Sequence, residues 1–212
     1  MSAFRQNYPN ALVSGCYFHL CQAVLRKVNE VGLKVAYETD DDVRIAIRCL
    51  AALSHVPIAD VSASFDLLAD SMPQTDHMDE LVTYFEHTFV RGRRLRGRAD
   101  NYAPPLFAAA SWNQMEAAGD GMPRTNNICE GWHNGLQSLL QCSHPILWRF
   151  LDGLRNDCGQ QRASFLQGIA GAQRPSVKRY RVVRDRVRRA VASFGQTDVL
   201  TYLRAIAHLS YK

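Results

Sequence analysis

From residue 19 to the C-terminus, apolar residues recur at steps of three and four between polar helix starts and helix-stopping Gly or Pro. That spacing puts each apolar set on one side of a helix, and only a mainly α architecture buries so many such stripes together. In HLCQAVLRKVNEVG, Leu20, Val24, Val28 and Val31 align, and Gly32 is positioned as a C-terminal cap. The acidic run TDDD then opens a helix carrying Val43, Ile47, Leu50 and Ser54 on one face. Carboxylates there complement the helix dipole, and Pro57 ends the segment. DVSASFDLLADSM aligns Val61, Phe65 and Leu68, and TDHMDELVTYFEHTF aligns Met78, Leu81, Val82, Phe85 and Phe89.

Two stretches interrupt the pattern. After a short helix in SAFRQNY and a turn at Pro9 and Asn10, ALVSGCYF at 11–18 is the one run that suggests a strand. Residues 91–106 hold five arginines and the pair Pro104 and Pro105, which predicts a mobile loop or internal boundary and the hinge of the structure. Helices resume in AAASWNQMEAAG, after RTNN, from Pro145 to about Gly168, after Pro175, and in VLTYLRAIAHL, where Thr197 and Asp198 supply the start. No repeat or low-complexity stretch is visible.

A chain of 212 residues, 47% of them hydrophobic, can bury a real core. No stretch approaches the ~18 apolar residues of a membrane span, and MSAFRQNYPN lacks an apolar leader core, so no membrane partner and an intracellular location are expected. The six cysteines are then expected as reduced thiols. The net charge is +5 and unevenly spread. Residues 38–86 are acid-rich, whereas Arg91, Arg93, Arg94, Arg96 and Arg98 form one basic cluster and KRYRVVRDRVRR at 178–189 a second. In the second, Val183, Val187, Ala190 and Phe194 can face inward, leaving Arg181, Arg184 and Arg188, with Lys178 one turn earlier, for phosphate contacts.

RTNNICEGWHNG at 124–135 carries the residue of greatest chemical interest, Glu130. With Asn127 as N-cap, Glu130 takes the third helical position of a capping box, a purely structural role. Ile128, Trp132, Leu136, Leu139 and Leu140 form the apolar stripe, so Glu130, His133, Asn134 and Gln137 lie on the polar side, where a carboxylate is also free to bind metal. In GCYFHLC, Cys16 and His19 stand three apart, but even with Cys21 the ligand count falls short of a structural zinc site. No nucleophile elbow, phosphate loop or dinucleotide fingerprint occurs, and Trp112, Trp132 and Trp148 are expected in the core.

Together GCYFHLCQAV, RTNNICEGWHN, PPLF, Trp112-Asn113 and HPILWRFLDGL resemble, in order and separation, the later part of the Mutator-like element transposase domain. The resemblance covers most of the chain. It implies a ribonuclease-H-like α/β core interrupted by a large all-helical insertion, with two aspartates and a glutamate gathered around Mg2+ or Mn2+. On this chain Glu130 matches the third metal-binding carboxylate and therefore the one catalytic position, and Cys16 and His19 lie beside the site. The implied organisation is a core remnant of one or two strands plus a helix at 1–35, a helical insertion at 36–120, and a core helix with helical tail at 121–212. A nuclear location, a DNA partner and homo-oligomerisation are further implications.

One departure is large. The family's two aspartates precede the cysteine–histidine motif, and no Asp or Glu occurs here before Glu30. Holding two hard cations about 4 Å apart takes several carboxylates. The expectation is therefore a transposase fragment, inactive alone, with weak, salt-dependent, sequence-insensitive DNA binding. The N-terminal strand, lacking sheet partners, would be its least protected segment. The alternatives are a helical protein-interaction module in which Glu130 is only a cap, and an enzyme completed by a second polypeptide that supplies the aspartates.

Overall fold

Asp40 begins the best-buried helix by accepting the backbone amides of Asp42 and Val43 at 2.9 and 3.1 Å, the geometry of an N-cap. In this computed structural model, which describes residues 6–10, 14–97, 101–122, 125, 127–171 and 178–210, that helix organises the first of two units. The first unit comprises 1–124 and 182–212, and the second 125–181.

The first unit opens with α1 (Tyr17–Glu30), α2 (Lys34–Thr39) and α3 (Asp41–Ala52), continues through single 3-10 turns, and adds α4 (Val61–Asp70) and α5 (Asp76–Phe85). The stripes expected from spacing are the core: Leu20, Val24, Val28, Ile47, Leu50, Phe65, Leu68, Met78, Leu81 and Phe85 are all buried. Thr75 caps α5 by accepting the Met78 amide, and Gly32 ends α1 with φ +80, a left-handed turn that glycine adopts without strain. The unit closes with α6 (Ala109–Trp112), α7 (Met115–Gly119), the later part of α10 (Lys178–Ala192) and α11 (Val199–Ser210). The packing of α11 along α3 and α4 buries Tyr202, Leu203, Ile206 and Ala207, and the Tyr202 hydroxyl donates to the His55 carbonyl. A Leu203→Ala change there would cost about 2–5 kcal/mol by the usual core cost.

The second unit is a helical hairpin of α8 (Asn127–Leu140) and α9 (Leu147–Ile169), followed by the start of α10. Trp132 meets Asp157, and Leu140 meets Gly153, so the two helices run antiparallel. Gly153 allows the close approach, since a Cβ there would lie 2.5 Å from the Leu140 Cδ2 methyl.

Several expectations are corrected. The strand at 11–18 is not formed over the described part of that run, because Tyr17 and Phe18 belong to α1 and Ser14 to Cys16 lie outside any sheet. Residues 11–13 fall outside the described residues. The apolar run reflects burial of Tyr17 against the helical core. Among the described residues the one β-type pairing is an isolated bridge, Arg94 to Tyr102.

The helix ending α5 widens to a π turn over Glu86–Val90, where the Arg91 amide donates to the Glu86 carbonyl. The segment 109–119 is two short helices rather than one, split by Asn113 and Gln114. Nor do residues 91–106 mark the boundary between units. Arg91 ties them to Asp66 and Glu86 of the first unit, and the Leu95 and Ala103 amides, which donate to the Asn101 and Arg93 carbonyls, close the loop on itself. Of the three tryptophans, Trp112 is buried, whereas Trp132 is 38% and Trp148 72% exposed. Among the described residues the second unit packs two long helices against each other with no further layer of its own.

Candidate functional site

Two of the sequence's short motifs meet in the first unit. The Gly15 amide donates to the Ser111 carbonyl at 2.6 Å, and a Cβ at Gly15 would lie 2.8 Å from that oxygen, so glycine is required. Gln114, 2% exposed, donates its side-chain amide to the Gly15 carbonyl at 2.7 Å while its backbone amide donates to Ser54. Asn113 donates to the Val56 carbonyl and accepts from the Met115 amide. The break after α6 is thus a polar bracket in which backbone groups that would otherwise be orphaned in the core find partners. No periodic signal marks Gln114, and only its place inside an interrupted helix could have drawn notice.

Beside this bracket, Cys16 and His19 line a cavity of about 300 Å³ together with Arg26, Phe89, Phe107 and Trp112. Cys16 is half-buried at the start of α1 and His19 lies exposed one turn on. The Trp112 indole donates to the carbonyls of Phe89 and Phe107, which fixes the aromatic wall. The cavity is apolar with a basic rim. A second cavity of about 590 Å³, which lies between α3, α4 and α11, opposes Asp41 and Asp42 to Arg204 and His208. Cys49 also lines it, and burial pushes that thiol up to about 12.

Glu130 lies in the second unit, exposed on α8. Because Asn127 is itself the first helical residue, Glu130 is the fourth, one step beyond the capping-box position. His133, Asn134 and Gln137 share its exposure, Leu136 and Leu140 are buried, and Leu139 is half-buried, which matches the stripe at those positions. Trp132 turns instead to Asp157, a buried carboxylate that also accepts from Gln161 at 3.3 Å. Among the described residues no three His, Cys, Asp or Glu side chains gather in a way that could hold a metal ion. A lone exposed carboxylate does not fit the two-metal centre that the resemblance implies.

The arginines divide into two kinds. Arg91 is committed to structure: it donates to Asp66 at 2.5 and 3.0 Å and to Glu86 at 2.6 Å, and stacks 5.0 Å from the Tyr102 ring. Asp66, then Glu86, hold its guanidinium further above an already high pKa. Arg93, Arg94 and Arg96 are exposed, and Arg98 lies outside the described residues. In α10, Val187 and Val191 are buried and Val183 and Ala190 half-buried, whereas Arg184, Arg186, Arg188 and Arg189 are exposed. Arg181 is exposed one turn earlier; Lys178 belongs to the same helix, but its side chain is outside the described set.

No helix among the described residues is long and apolar enough to cross a membrane. Compared with family models, with curated proteins and with solved structures, the chain matches none.

Proposed function

We propose that this chain binds DNA phosphates without sequence preference through the arginine face of α10, as the DNA-handling part of a Mutator-like transposase that has no catalytic centre of its own among the described residues. One observation carries the reading. Within α10 the apolar side is held in the core by Val187 and Val191, so Arg184 and Arg188 are turned to solvent on a fixed helix. The helix holds seven basic residues against one acidic, Asp185. Among the described residues its one ion pair is a loose 3.9 Å contact between Arg184 and that neighbour, which leaves the Arg184 and Arg188 guanidinium forks open to phosphate. In this reading 1–35 is the remnant of a ribonuclease-H-like core, 36–120 is its helical insertion, 121–212 is a core helix with a helical tail, and the protein works in the nucleus. The resemblance of the short motifs supports that assignment.

Fluorescence anisotropy of a labelled DNA duplex across a salt series tests the proposal. Binding should weaken steeply with salt, as counterion release requires, and replacing Arg181, Arg184 and Arg188 with Gln should flatten the log–log slope by about 2–3. Affinity that does not change between low and moderate salt would rule it out.

A second reading, a protein-interaction module, is favoured by the apolar exposure of the hairpin. Trp148 is 72%, Ile146 70% and Phe165 68% exposed. Under it, DNA affinity is negligible at every salt concentration.

A further inference from the structure

α9 carries an apolar stripe that the hairpin leaves largely exposed at its two ends. Leu147, Leu151, Leu154, Cys158, Phe165 and Ile169 fall at steps of four, three, four, seven and four, which puts them on one face. That face is not the one turned to α8, since Asp157 and Gly153, which meet Trp132 and Leu140, lie about 100° and about 140° round the helix from Cys158. Leu147 is 64%, Phe165 68% and Ile169 70% exposed, Leu151 and Leu154 are half-buried, and Cys158 is exposed.

The stripe is symmetric about Cys158. Leu147 and Ile169 stand eleven residues to either side of it, and Leu151 and Phe165 seven. We propose that α9 pairs antiparallel with α9 of a second copy of this chain across a two-fold axis at Cys158, burying Leu147 against Ile169 and Leu151 against Phe165. A two-fold interface must be self-complementary, and this stripe is.

The flanking charges agree. In this register Arg155 faces Gln161, and Arg149 and Asp152 lie at least about 120° round the helix from Cys158, away from the seam, so no like charges oppose. Arg162 faces Leu154, which its aliphatic stem can cover. Between Leu147 and Ile169 the helix runs about 33 Å. Two such helices in contact bury on the order of 1,000 Å² counting both copies, at the threshold of specific association, which fits a dimer that forms in the micromolar range. The dimer does not depend on the proposed DNA binding.

Sedimentation equilibrium of the full chain from about 1 to about 100 µM tests the pairing. The expected result is a monomer–dimer equilibrium that is abolished in Phe165→Glu/Ile169→Glu and kept in Trp148→Glu, an equally apolar and exposed site off the stripe. Circular dichroism of each variant checks helicity. In a Cys129→Ser/Cys142→Ser background, bis(maleimido)ethane should also link two chains at Cys158. Each thiol adds across one maleimide double bond, forming a thioether, and its proton goes to the ring carbon, with no oxidant involved. Cys158→Ser should lose the cross-link and keep the dimer. A wild-type chain monomeric throughout, dissociation by Trp148→Glu as complete as by the stripe variant, or a cross-link that survives Cys158→Ser would each overturn the proposal.

Discussion

Trp132 donates its indole N–H to Asp157 at 2.8 Å, joining α8 to α9 by a hydrogen bond to a buried carboxylate. The hairpin has few other means of fixing its register. Gly153 and Asp157 are the residues α9 buries, and the close approach at Leu140 is apolar and non-directional. One polar contact one residue away from the exposed His133 therefore sets how the Glu130 face of α8 is turned relative to α9.

Removing the donor should be costly for that reason. Among the described residues Trp132→Phe leaves Asp157 with the longer bond from Gln161, so the hairpin should lose about 1–3 kcal/mol, the range for a buried acceptor left short of a partner. Hydrogen exchange along 127–169 measures this locally. Protection unchanged from wild type would show that the bond contributes nothing.

Gly92 lies where no other residue fits. Its φ is +64, and a Cβ would lie 2.3 Å from the Ala103 carbonyl oxygen and 2.8 Å from that of Pro104, both backbone atoms that cannot swing aside. Gly92→Ala should destabilise the first unit by about 2–4 kcal/mol through strain and displacement of the 91–103 loop. Urea denaturation followed by Trp112 fluorescence in a Trp132→Phe/Trp148→Phe background should show the loss, measured against that background.

The thiols should differ sharply in reactivity. Cys49 is 1% exposed and its thiol is pushed up to about 12 by burial, so neither access nor thiolate is available near neutral pH. Cys129 is exposed on α8. With 5,5′-dithiobis(2-nitrobenzoate) at neutral pH, Cys129 should react at once, and Cys49 only when the chain unfolds. Rapid modification of Cys49 in the native protein would mean that α3 and α11 part readily.

Glu130 gives a test of the resemblance itself. It is solvent-exposed and outside capping-box register, so Glu130→Gln should alter stability by less than about 0.5 kcal/mol. Wild type and variant should also respond identically to Mn2+ in a thermal-shift titration. A stabilisation by Mn2+ that vanishes in the variant would show that further carboxylates reach Glu130.

Much of this architecture is legible in the chain because its signals are local. The stripe of Leu20, Val24 and Val28, the helix start at the acidic TDDD run and the turn at Gly32 each depend on neighbours within a few residues, and each is where the local pattern puts it. The misjudged features depend on distant partners. Tyr17 and Phe18 look like strand until a helical core accepts Tyr17, and Arg91 looks like a phosphate ligand until Asp66 and Glu86 close on it. Trp148 looks like core, yet no element of the hairpin is available to bury it. The bracket at Asn113 and Gln114 was hidden for the same reason, since its partners at Gly15, Ser54 and Val56 lie far off in sequence.

The start of α11 should give the first unit a pH dependence. Asp198 accepts the Thr201 amide at 2.9 Å, and Thr201, by its side chain first and its backbone second, holds the Asp198 carboxyl below its ordinary 3.8. A carboxyl depressed by folding stabilises the native state above its unfolded pKa, and that contribution is lost as pH falls through the lower folded value. The helix it caps carries Tyr202, Leu203, Ile206 and Ala207 into the core, so fraying at Asp198 is felt by α3 as well. Asp198→Ala should therefore lower Tm by a few degrees near pH 7, with the gap from wild type narrowing as the pH falls from the unfolded pKa through the lower folded one. Asp198→Asn keeps an oxygen acceptor that does not titrate, so its Tm should lack this component of the acid dependence. Melting curves of the three proteins from about pH 7 to about pH 2 decide the matter. A gap between wild type and Asp198→Ala that stays constant over the whole range would mean that the cap acts through its geometry alone and not through its charge.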